Sequence, residues 1–524
     1  MLALIVSVAR RLCALLISLV TSIVLYRLFL HPLANIPGPK LAAISNVWYA
    51  YHARNGRMLH LGKTLHQIYG PMVRVGPNEV WFNSKEAFSK IYSATQGYEK
   101  SDFYLATALN RPKFDRWWNL RFPDSLDLLS ERDMERYRLQ RRTIGPLYSM
   151  HNIQKYEAAI DDVLIKVVAQ LQGLHSAPVD LKMWMHIITV ECLSAAVLSY
   201  SPGYLKAKSD YGSSSHAYLN WRRKSVFGLF TWAVLAESHF KASGRCFSSV
   251  WRLTFRTPAP FRPFFTSVYS KITKRITAAL RPKPQRDDRT DLMADLIQLH
   301  MDKPEFSLTY LKRMAMTNFG AGHETTTSAL ISAVSMIASR PGARDRVRAE
   351  LPRPTSHGNT MILPYAHAAG LSYTQAAIKE AQRLYPVLGM SPSRAVPSGG
   401  LYVHDTYIPQ GTRVGCNPVS LHRNWEIFGD DAEEYRPQRW LPEDDDNKNN
   451  NNNTRDMERY NLTWGGGART CPGRNLAQLI LYKVVPTLFQ NFHVEVDVPL
   501  DENITYYFMA MLTGVQVRFL PRSD

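Results

Sequence analysis

One short stretch, WGGGARTCPGRNLA at residues 464–477, surrounds a single cysteine with glycines and arginines. As a thiolate, Cys471 would be a strong, soft ligand for a transition metal. Arg469 supplies a charge for an acidic group, and the apolar run that follows predicts a helix whose N-terminal dipole faces the sulfur. Four glycines allow tight turns and a flat approach to a planar cofactor: Gly465, Gly466, Gly467 and Gly473. These features suit a thiolate beneath a porphyrin, where sulfur favours O–O cleavage at the iron.

Two ordinary interpretations of this stretch stay open on its residues alone. A lone cysteine is usually a small buried hydrophobe, and a glycine-rich loop before a helix is often a turn or a phosphate cradle. A phosphate loop would carry Lys and then Ser or Thr after its last glycine, where this chain has Arg474 and Asn475. The other cysteines lie far apart without a C-x-x-C pair, which argues against a disulfide framework or a zinc ribbon: Cys13, Cys192, Cys246 and Cys416.

A long helix is predicted over residues 307–340, from a Ser307 cap to a stop at Pro341. At about 1.5 Å per residue it would run about 50 Å and cross a whole domain. Its middle contains Gly320 and Gly322, although a glycine inside a helix costs about 1 kcal/mol relative to alanine. Either a close helix crossing or a ligand against the backbone would explain them. Glu324 and Thr325 follow, a carboxylate beside a hydroxyl that could relay protons.

Glu380 and Arg383 are three residues apart on another predicted helix, over residues 373–384. Such a pair is ordinarily a surface ion pair worth about 0.2–0.5 kcal/mol. The E-x-x-R pattern occurs four times, starting at Glu135, Glu350, Glu380 and Glu433. The pattern alone therefore selects none of them.

Elsewhere the periodicity predicts a β-hairpin over residues 72–82, helices over 132–139, 152–171 and 181–198, and short strands near 401–407. Residues 200–290 are basic and aromatic and give no regular pattern.

The segment WGGGARTCPG resembles the heme-binding signature F-x-x-G-x-R-x-C-x-G of the cytochrome P450 family, with Trp464 where phenylalanine is usual. The resemblance implies a mainly α fold with small β-sheets, in which a long central helix crosses a buried heme b. It implies Cys471 as the proximal thiolate ligand of the iron and Arg469 as a partner of a heme propionate. Trp464 would pack near the sulfur, and Gly467 and Gly473 would belong to the heme-contacting loop.

The order of the remaining motifs looks like that of the same family. EAQR at 380–383 is followed by LYP, by RAVP at 394–397, by PQRW at 437–440 and then by the cysteine loop. This order implies a structural charge triad of Glu380, Arg383 and Arg439, and a propionate contact from Arg394.

Two further segments carry the resemblance. AGHETT at 321–326 is similar to the family's oxygen-activation segment, which implies that Ala321 lies against the heme and that Glu324 and Thr325 deliver protons. YRLQRR at 137–142 resembles a helix at the heme edge, which implies a propionate contact from Arg141 and a hydrogen bond from Tyr137, where histidine or tryptophan is usual. A solvated basic helix face is the alternative for the second segment.

The N-terminal run at residues 12–26 is uncharged and mostly apolar, and residues 28–30 extend it past Arg27. If Arg27 snorkels, the run can span a bilayer. A cleaved signal peptide is the alternative, because Arg10 and Arg11 resemble a charged leader, but no convincing cleavage site follows. We expect a membrane anchor over 1–30, a Pro/Gly-rich hinge over 31–42 and a heme-thiolate catalytic domain over 43–524. The Asn/Asp-rich stretch at 443–456 predicts a flexible insert.

The charge balance limits the partners. The chain has 63 Lys and Arg against 44 Asp and Glu, a net charge of +19, which favours acidic proteins or anionic membranes. Nucleic acid is not expected, because the basic residues are scattered and no groove-reading motif accompanies them.

By the resemblance, the chain is a heme-thiolate monooxygenase that inserts one oxygen atom from O2 into a lipophilic small molecule, by hydroxylation or epoxidation. The implied setting is fungal biosynthesis of a terpenoid, polyketide or alkaloid. No flavin or nicotinamide fingerprint occurs, so the expected electron donor is NADPH-cytochrome P450 reductase, with cytochrome b5 as a further candidate. The implied location is the endoplasmic reticulum membrane, with the catalytic domain facing the cytosol. A heme-thiolate isomerase or peroxide-rearranging enzyme, and a non-catalytic heme-binding protein, remain alternatives.

The resemblance also implies where a substrate would lie. Its contacts would come from residues 101–122, 387–390 and 508–512, and from Met316 and Phe319 on the long helix.

Overall fold

The computed structural model describes residues 1–94, 97–108, 113–114, 120–121, 126–239, 242, 246, 264–281, 288–352, 362–442, 448–500 and 504–522. Helices form most of this part, as the mainly α prediction requires. In chain order its α-helices are α1 Leu2–Leu25, α2 Lys40–Ile44, α3 Asn46–Arg54, α4 Met58–Tyr69, α5 Lys85–Ile91, α6 Met134–Ile144, α7 Met150–Gln154, α8 Glu157–Gln172, α9 Leu181–Leu198, α10 Tyr204–Ala207, α11 Ser213–Phe227, α12 Thr231–His239, α13 Phe264–Ala279, α14 Leu292–Asp302, α15 Leu308–Ala338, α16 Pro341–Glu350, α17 Tyr365–Ala369, α18 Ser372–Leu384, α19 Pro418–Leu421, α20 Trp425–Phe428, α21 Lys448–Tyr460 and α22 Arg474–Asn491.

The strands are short and form small sheets. They are β1 Met72–Gly76, β2 Glu79–Phe82, β3 Lys113–Phe114, β4 Leu120–Arg121, β5 Val179–Asp180, β6 Arg394–Ala395, β7 Leu401–Val403, β8 Thr406–Ile408, β9 Arg413–Cys416, β10 Phe492–Val498 and β11 Gln516–Pro521. The sheet orders are β1-β2-β9-β6, β10-β11-β5, β3-β4 and β7-β8. The antiparallel pair β1 and β2 confirms the predicted hairpin.

The four-stranded sheet positions two cations that matter below. β9 runs parallel to β2, and β6 pairs antiparallel with β9, which places Arg394 opposite Val414. An isolated antiparallel bridge then joins Arg394 to Lys100. The sheet therefore brings Lys100 and Arg394 side by side from segments almost 300 positions apart.

The central helix α15 confirms the long helix predicted over 307–340. The Ser307 hydroxyl accepts the N–H of Tyr310 at the helix start, and Pro341 begins the next helix. From Thr326 to Ala338 every side chain is buried, because α9, α18 and α22 pack against this half of the helix. Such packing supplies most of the stability of a long helix.

Helix α9 occupies the predicted range 181–198. The Asp180 carboxylate accepts the N–H of Met183 at its start. The helix is apolar enough to cross a membrane, but 83% of it is buried inside the fold, so α9 is a core helix.

Unlike α9, the apolar N-terminal segment is not buried in the fold. Residues Leu4–Leu30 form α1 and a π-helical continuation with a mean hydropathy of 2.2, and none of this span is buried against the fold. It is compatible with a membrane anchor. In the predicted hinge that follows, the carbonyl of Pro37 accepts the N–H of Arg74 at 2.8 Å, and a Cβ on Gly38 would lie 2.4 Å from the Arg74 carbonyl oxygen. The hinge residues therefore pack against β1.

Three predicted segments differ from the structure. In the described part of residues 200–290 the chain forms helices α10 to α13, in which aromatic residues such as Trp232 and Tyr269 lie on the exposed side and obscured the helical period. The predicted helix over 152–171 is split into α7 and α8, next to Tyr156, whose hydroxyl donates to Asp295 at 2.5 Å. In the predicted flexible insert, residues from Lys448 onward are helical in α21, where Met457 and Tyr460 bury against the smaller core cluster. Positions 443–447 of that insert lie outside the described residues.

Candidate functional site

The cysteine loop joins two short 3-10 helices, Leu462–Trp464 and Gly467–Arg469, to the first turn of α22. The N–H of Cys471 donates to the carbonyl of Trp464 at 2.8 Å and closes the loop. Gly467 has a φ of +60°, and a Cβ there would lie 2.0 Å from the carbonyl oxygen of Tyr92. Only glycine fits at this position, so the close packing of the loop on Tyr92 depends on it.

The sulfur of Cys471 is enclosed by the fold yet remains accessible from an internal space. Burial raises the pKa of the thiol. The backbone N–H groups of Gly473 and Arg474, together with the charges of Arg141 and Lys100, act in the opposite direction on that pKa. Donors and positive charge directed at a sulfur stabilise the thiolate, and the N-terminal end of α22 adds to them.

Three buried cations lie on one side of this loop: Lys100, Arg394 and Arg469. Lys100 donates to the carbonyls of Leu128 and Leu129 at 3.2 and 2.5 Å, and Arg394 donates to those of Pro392 and Ser393. In the part of the chain that the structure describes, none of the three cations has a carboxylate within 4.0 Å.

Arg469 completes this group. Its guanidinium donates to the carbonyls of Glu131 and Arg132 at 2.5 and 2.9 Å, while its Nε has no hydrogen-bond partner among the described residues. Burial, followed by the charge of Arg394, lowers the pKa of Arg469 to about 10. Burial also lowers the pKa of Lys100 well below its usual value, and Arg469 and Arg394 lower it further. Clustered buried cations without a counterion are costly, so this cluster is built for an acidic ligand.

Helix α6 borders the cations. Its Tyr137 is buried, and the Arg469 guanidinium carbon lies 4.3 Å from the centre of the Tyr137 ring. Arg141, one turn further along, is half-buried and contributes charge at the Cys471 sulfur. The same helix holds Gln140, a buried side chain whose amide atoms have no described hydrogen-bond partner.

Gly320 and Gly322, in the middle of α15, have different surroundings, and each fits a different one of the two explanations. A Cβ on Gly322 would lie 3.1 Å from the Leu193 side chain of α9, so Gly322 serves a close helix crossing. A Cβ on Gly320 would meet nothing within 4 Å, and Gly320 and Ala321 are exposed although the helix lies inside the fold. Backbone open to an internal space at this point admits a flat ligand.

Two polar groups follow on the same helix. The Thr325 hydroxyl donates to the carbonyl of Ala321 at 2.7 Å. Glu324 is 9% exposed, and its Oε2 has no hydrogen-bond partner in the described part of the fold. The hydroxyl therefore lies beside the open backbone of Ala321, and the carboxylate of the neighbouring Glu324 contacts His323 Nε2 at 3.3 Å.

The triad predicted from motif order forms a fully buried network around Glu380. Its carboxylate accepts two bonds from Arg383 at 2.8 Å, one from Arg439 Nε at 2.8 Å and one from Trp440 Nε1 at 2.8 Å. Burial alone raises the pKa of Glu380, but the hydrogen bonds and charges of Arg383 and Arg439 outweigh it and hold the pKa below its usual value. The carboxylate is therefore ionised in the folded chain.

His422 connects this network to the cysteine loop. Its Nε2 accepts the N–H of Leu462 at 2.8 Å, so its Nδ1 carries the proton and donates to the carbonyl of Arg383 at 3.0 Å. Arg383 in turn donates to the carbonyl of His422 at 2.5 Å. Burial lowers the pKa of His422 to about 3. The ring is neutral and fixes the start of the loop that carries Cys471.

These residues fit heme b by their chemistry. The N–H donors at Cys471 suit a metal-bound thiolate, and the open backbone at Gly320 and Ala321 suits a flat ring. The buried cations suit the carboxylates that such a ring carries, and the orphaned Arg469 Nε is a donor that such a carboxylate would satisfy.

Two members of the site were not identified from the sequence. Lys100 carries no motif, and only its chain position after the predicted hairpin could have suggested an inward cation. No sequence signal pointed to His422 either, because its partners Arg383 and Leu462 are each about 40 positions away.

Comparisons with known proteins were made over the whole chain. The family model described as Cytochrome P450 matches residues 37–516. The chain is similar to the cytochrome P450 monooxygenase sdnT of Sordaria araneosa, with 57% identity over 538 residues, covering 97% of this chain and 95% of the relative.

More distant relatives share the same description or a related one. Pisatin demethylase of Fusarium vanettenii is 28% identical over 482 residues, covering 90% of this chain and 87% of the relative. The cytochrome P450 monooxygenase mpaDE of Penicillium roqueforti is 28% identical over 498 residues, and the match covers 55% of that longer relative.

The buried charge network predicts a large effect of removing one charge. Glu380→Gln leaves Arg383 and Arg439 without their counterion, which should destabilise the fold by about 3–5 kcal/mol. Glu433→Gln is the matched control, because Glu433 also begins an E-x-x-R pattern but makes its ion pair with Arg423 at the surface; it should cost less than about 1 kcal/mol. Denaturant melts of both variants measure the difference, and equal losses would contradict the assignment.

The neutral state of His422 predicts a pH dependence of stability. Its folded pKa of about 3 lies below the ordinary 6.5, so acid favours the unfolded chain, and this stability is lost as the pH falls from 6.5 towards 3. At pH 7 His422→Gln should be less stable than the wild type. Between pH 6.5 and 3 its free energy of unfolding should fall more slowly than that of the wild type, by up to about 1.4 kcal/mol per pH unit. The control is His60→Gln at an exposed position, which should show the wild-type dependence of stability on pH in thermal melts. If His422→Gln also shows the wild-type dependence, the His422 ring is not neutral in the folded chain.

Proposed function

Because this chain belongs to the cytochrome P450 family, we propose that it is a membrane-anchored monooxygenase that transfers one oxygen atom of O2 to a lipophilic molecule. The family binds heme b through a cysteine thiolate, and the chain is an oxidoreductase of that family. The proposed reaction consumes the substrate, O2, two electrons and two protons, and yields the oxygenated product and one water molecule. Bound heme supplies the oxygen chemistry, and the protein supplies binding, orientation and protons.

The arrangement around Cys471 carries this proposal. Cys471 is the residue that we assign as the axial thiolate, because the N–H groups of Gly473 and Arg474 point at its sulfur and the charges of Arg141 and Lys100 act on it. Gly467 lets the loop pack closely enough to present the sulfur. Trp464 holds the loop end through its carbonyl and lies 6.0 Å from the Arg474 guanidinium.

The buried cations are assigned to the heme propionates. Arg394 and Arg469 were expected there, and Lys100 joins them because its ammonium is buried beside both. Arg141 and Tyr137 on α6 complete the edge, with Tyr137 stacked beneath Arg469. Desolvated guanidinium groups bind carboxylates strongly, which holds the ring in one orientation.

Proton supply is assigned to Glu324 and Thr325. The Thr325 hydroxyl is held at the Ala321 carbonyl, next to the open backbone, and would hold a proton at the face where bound heme would supply the oxygen chemistry. Glu324 lies at the neighbouring position and replaces the proton that Thr325 gives up. Ala321, with only a methyl group, leaves room for the ring.

The substrate is proposed to be lipophilic. Trp221 of α11 stacks on Phe508 with ring centres 5.2 Å apart, and Phe103 lies 5.2 Å from the same Phe508 ring. The segment that carries Phe508 is tied to α15 by a bond from the Ser328 hydroxyl to the Ala510 carbonyl at 2.8 Å. An aromatic cluster on a segment tied to the central helix at Ser328, one turn after Thr325, favours a terpenoid, polyketide or alkaloid over a sugar. Of the implied contacts at 101–122, positions 109–112, 115–119 and 122 lie outside the described residues.

The proposed biological setting is inferred from the relatives. The named relatives are fungal monooxygenases and a demethylase, which supports a role in fungal secondary metabolism. The exposed apolar helix at Leu4–Leu30 supports anchoring in a membrane. The location proposed from the family is the endoplasmic reticulum membrane, with the catalytic domain in the cytosol. The proposed domain limits are the anchor at 1–30, the hinge at 31–42 and the catalytic domain at 43–524.

Electrons are proposed to come from NADPH-cytochrome P450 reductase, with cytochrome b5 as a second donor. A groove of about 770 Å³ lies beside the cysteine loop and is lined by Trp464, Gly465 and Thr470. Its charged lining is mostly basic: Lys379, Arg455, Arg459 and Arg474 against Glu458. A basic groove next to the sulfur fits an acidic redox partner.

Cys471→Ala tests the proposed function directly. The wild-type protein, reduced and exposed to carbon monoxide, should show the strongly red-shifted Soret band of a thiolate-bound heme, and the alanine variant should lack it. Cys416→Ala is the matched control, because Cys416 is a buried thiol of β9 and should leave the band in place. A band that survives in Cys471→Ala would overturn the assignment.

The groove predicts a charge-dependent partner. Arg459→Glu should raise the reductase concentration needed for half-maximal turnover, and salt should weaken the wild-type interaction, because both act on the encounter of opposite charges. Lys166→Glu, an exposed cation of α8 outside the groove, should behave as wild type. Steady-state NADPH oxidation at several reductase concentrations measures both. If Arg459→Glu and Lys166→Glu had equal effects, the groove would not be the surface that binds the reductase.

A further inference from the structure

A small cavity lies beside Glu324 on α15. Its volume of about 20 Å³ is enough for one water molecule. Apolar atoms form most of its surface, and its lining includes Ile331, Met511 and Leu512. The polar lining residues are Lys182, His186, Ser214, Glu324, Thr327 and Ser328. Two of these have buried atoms without a hydrogen-bond partner in the described structure, Glu324 Oε2 and His186 Nε2. A water molecule placed between them would satisfy both.

His323 contacts the Glu324 carboxylate next to the cavity. His323 Nδ1 donates to the carbonyl of Phe319 at 2.6 Å, because a carbonyl can only accept. His323 Nε2 lies 3.3 Å from Glu324 Oε1. One oxygen of Glu324 therefore faces His323, while Oε2 is left without a partner among the described residues.

His186 of α9 stands between this pair and the outside. Its ring centre is 5.7 Å from that of His323, with the two planes inclined by 68°. Burial, and then the charge of His323, lower the pKa of His186 to about 3. The ring is therefore neutral and offers one donor and one acceptor nitrogen, as a proton conductor needs.

Ser214 and Lys182 line the cavity, and Asp210 lies next to it through its contact with Ser214. The Asp210 carboxylate accepts the Ser214 hydroxyl, and its two oxygens also accept the N–H groups of Gly212 and Ser214 at 2.9 and 3.1 Å. Burial raises the pKa of Asp210, but these hydrogen bonds outweigh it and hold the pKa below its usual value. Lys182, one turn before His186 on α9, is half-exposed and reaches Ser215 Oγ at 3.4 Å.

We propose that His186 and the water-sized cavity beside it carry protons from the Lys182–Asp210 edge of the fold to Glu324. This inference rests on the proposed role of Glu324 and Thr325 in proton supply. Each proton that leaves Glu324 towards Thr325 is replaced by one that arrives at Oε2 from the cavity water. That water is reprotonated through His186 from solvent at the outer edge, so no group in the path changes after a complete cycle and no electron moves.

The charges around the path are consistent with this direction. His186 faces Lys182 on its own helix, Asp210 on the segment before α11, and His323 and Glu324 on α15. Lys224 of α11 also acts on Glu324: burial lowers the pKa of Lys224, and the charges of Glu324 and Asp127 oppose that effect. Lys224 and Lys182 thus place two cations beside the path.

The test compares two sources of oxygen in the full-length enzyme. His186→Leu should slow NADPH-supported product formation with reductase by about tenfold or more, and should raise its solvent deuterium isotope effect. Hydrogen peroxide brings its own protons and electrons with the oxygen, so peroxide-supported product formation should stay at the wild-type level. His186→Gln, which keeps a polar side chain of similar size but cannot pass a proton, should show the same split if the leucine variant folds poorly.

The controls separate a relay from a structural role. His60→Gln, on the exposed side of α4, should match wild type with both oxygen sources. If the His186 variants slow both reactions equally, His186 only supports the fold, and if they slow neither, the path is wrong. A wild-type protein without any NADPH-dependent product would instead refute the proposed function, which is a distinct outcome.

A second readout does not depend on turnover. A crystal structure of the wild-type protein should show an ordered water within hydrogen-bond distance of both His186 Nε2 and Glu324 Oε2, and this water should be lost in His186→Leu. A dry cavity in the wild type would overturn the proposed path.

Discussion

In the proposed role of Cys471 as a thiolate ligand, its sulfur has to carry a negative charge at a place where burial opposes charge. Burial raises the pKa of the thiol. The backbone N–H groups of Gly473 and Arg474 and the charges of Arg141 and Lys100 act in the opposite direction and favour the thiolate. The loop that carries these donors packs closely on Tyr92, and only glycine fits at Gly467, where a Cβ would lie 2.0 Å from the Tyr92 carbonyl oxygen. The position of the loop therefore matters as much as its composition.

The Glu380 network fixes that position. Arg383 donates to three carbonyls, those of His422, Ala432 and Glu434, besides its bonds to Glu380. A buried ionic cluster is weak evidence for net stability, because desolvation offsets much of the attraction. Its contribution here is geometric: it holds the segment before the cysteine loop from several directions, and His422 passes that restraint on to Leu462. The chemistry at Cys471 thus depends on charges that never contact the cofactor.

Local signals explain how much of this the sequence could predict. The Ser307 cap, Pro341 and the 72–82 hairpin are encoded by neighbouring residues, and the cysteine loop and the Glu380 triad by motif type and order. Lys100 could not be assigned, because its role depends on a bridge to Arg394 across the sheet. The same holds for His186, which meets His323 only through the packing of α9 on α15. Gly320 and Gly322 look alike in the sequence, and only the structure shows that one faces Leu193 and the other open space.

The proposed function depends on the bond between the Cys471 sulfur and the heme iron. Iron-edge X-ray absorption of the purified ferric protein measures the atoms bound to the iron without reference to any reaction. It should show one sulfur neighbour in the wild type and none in a protein in which position 471 carries no sulfur. An iron surrounded only by nitrogen and oxygen in the wild type would contradict the account.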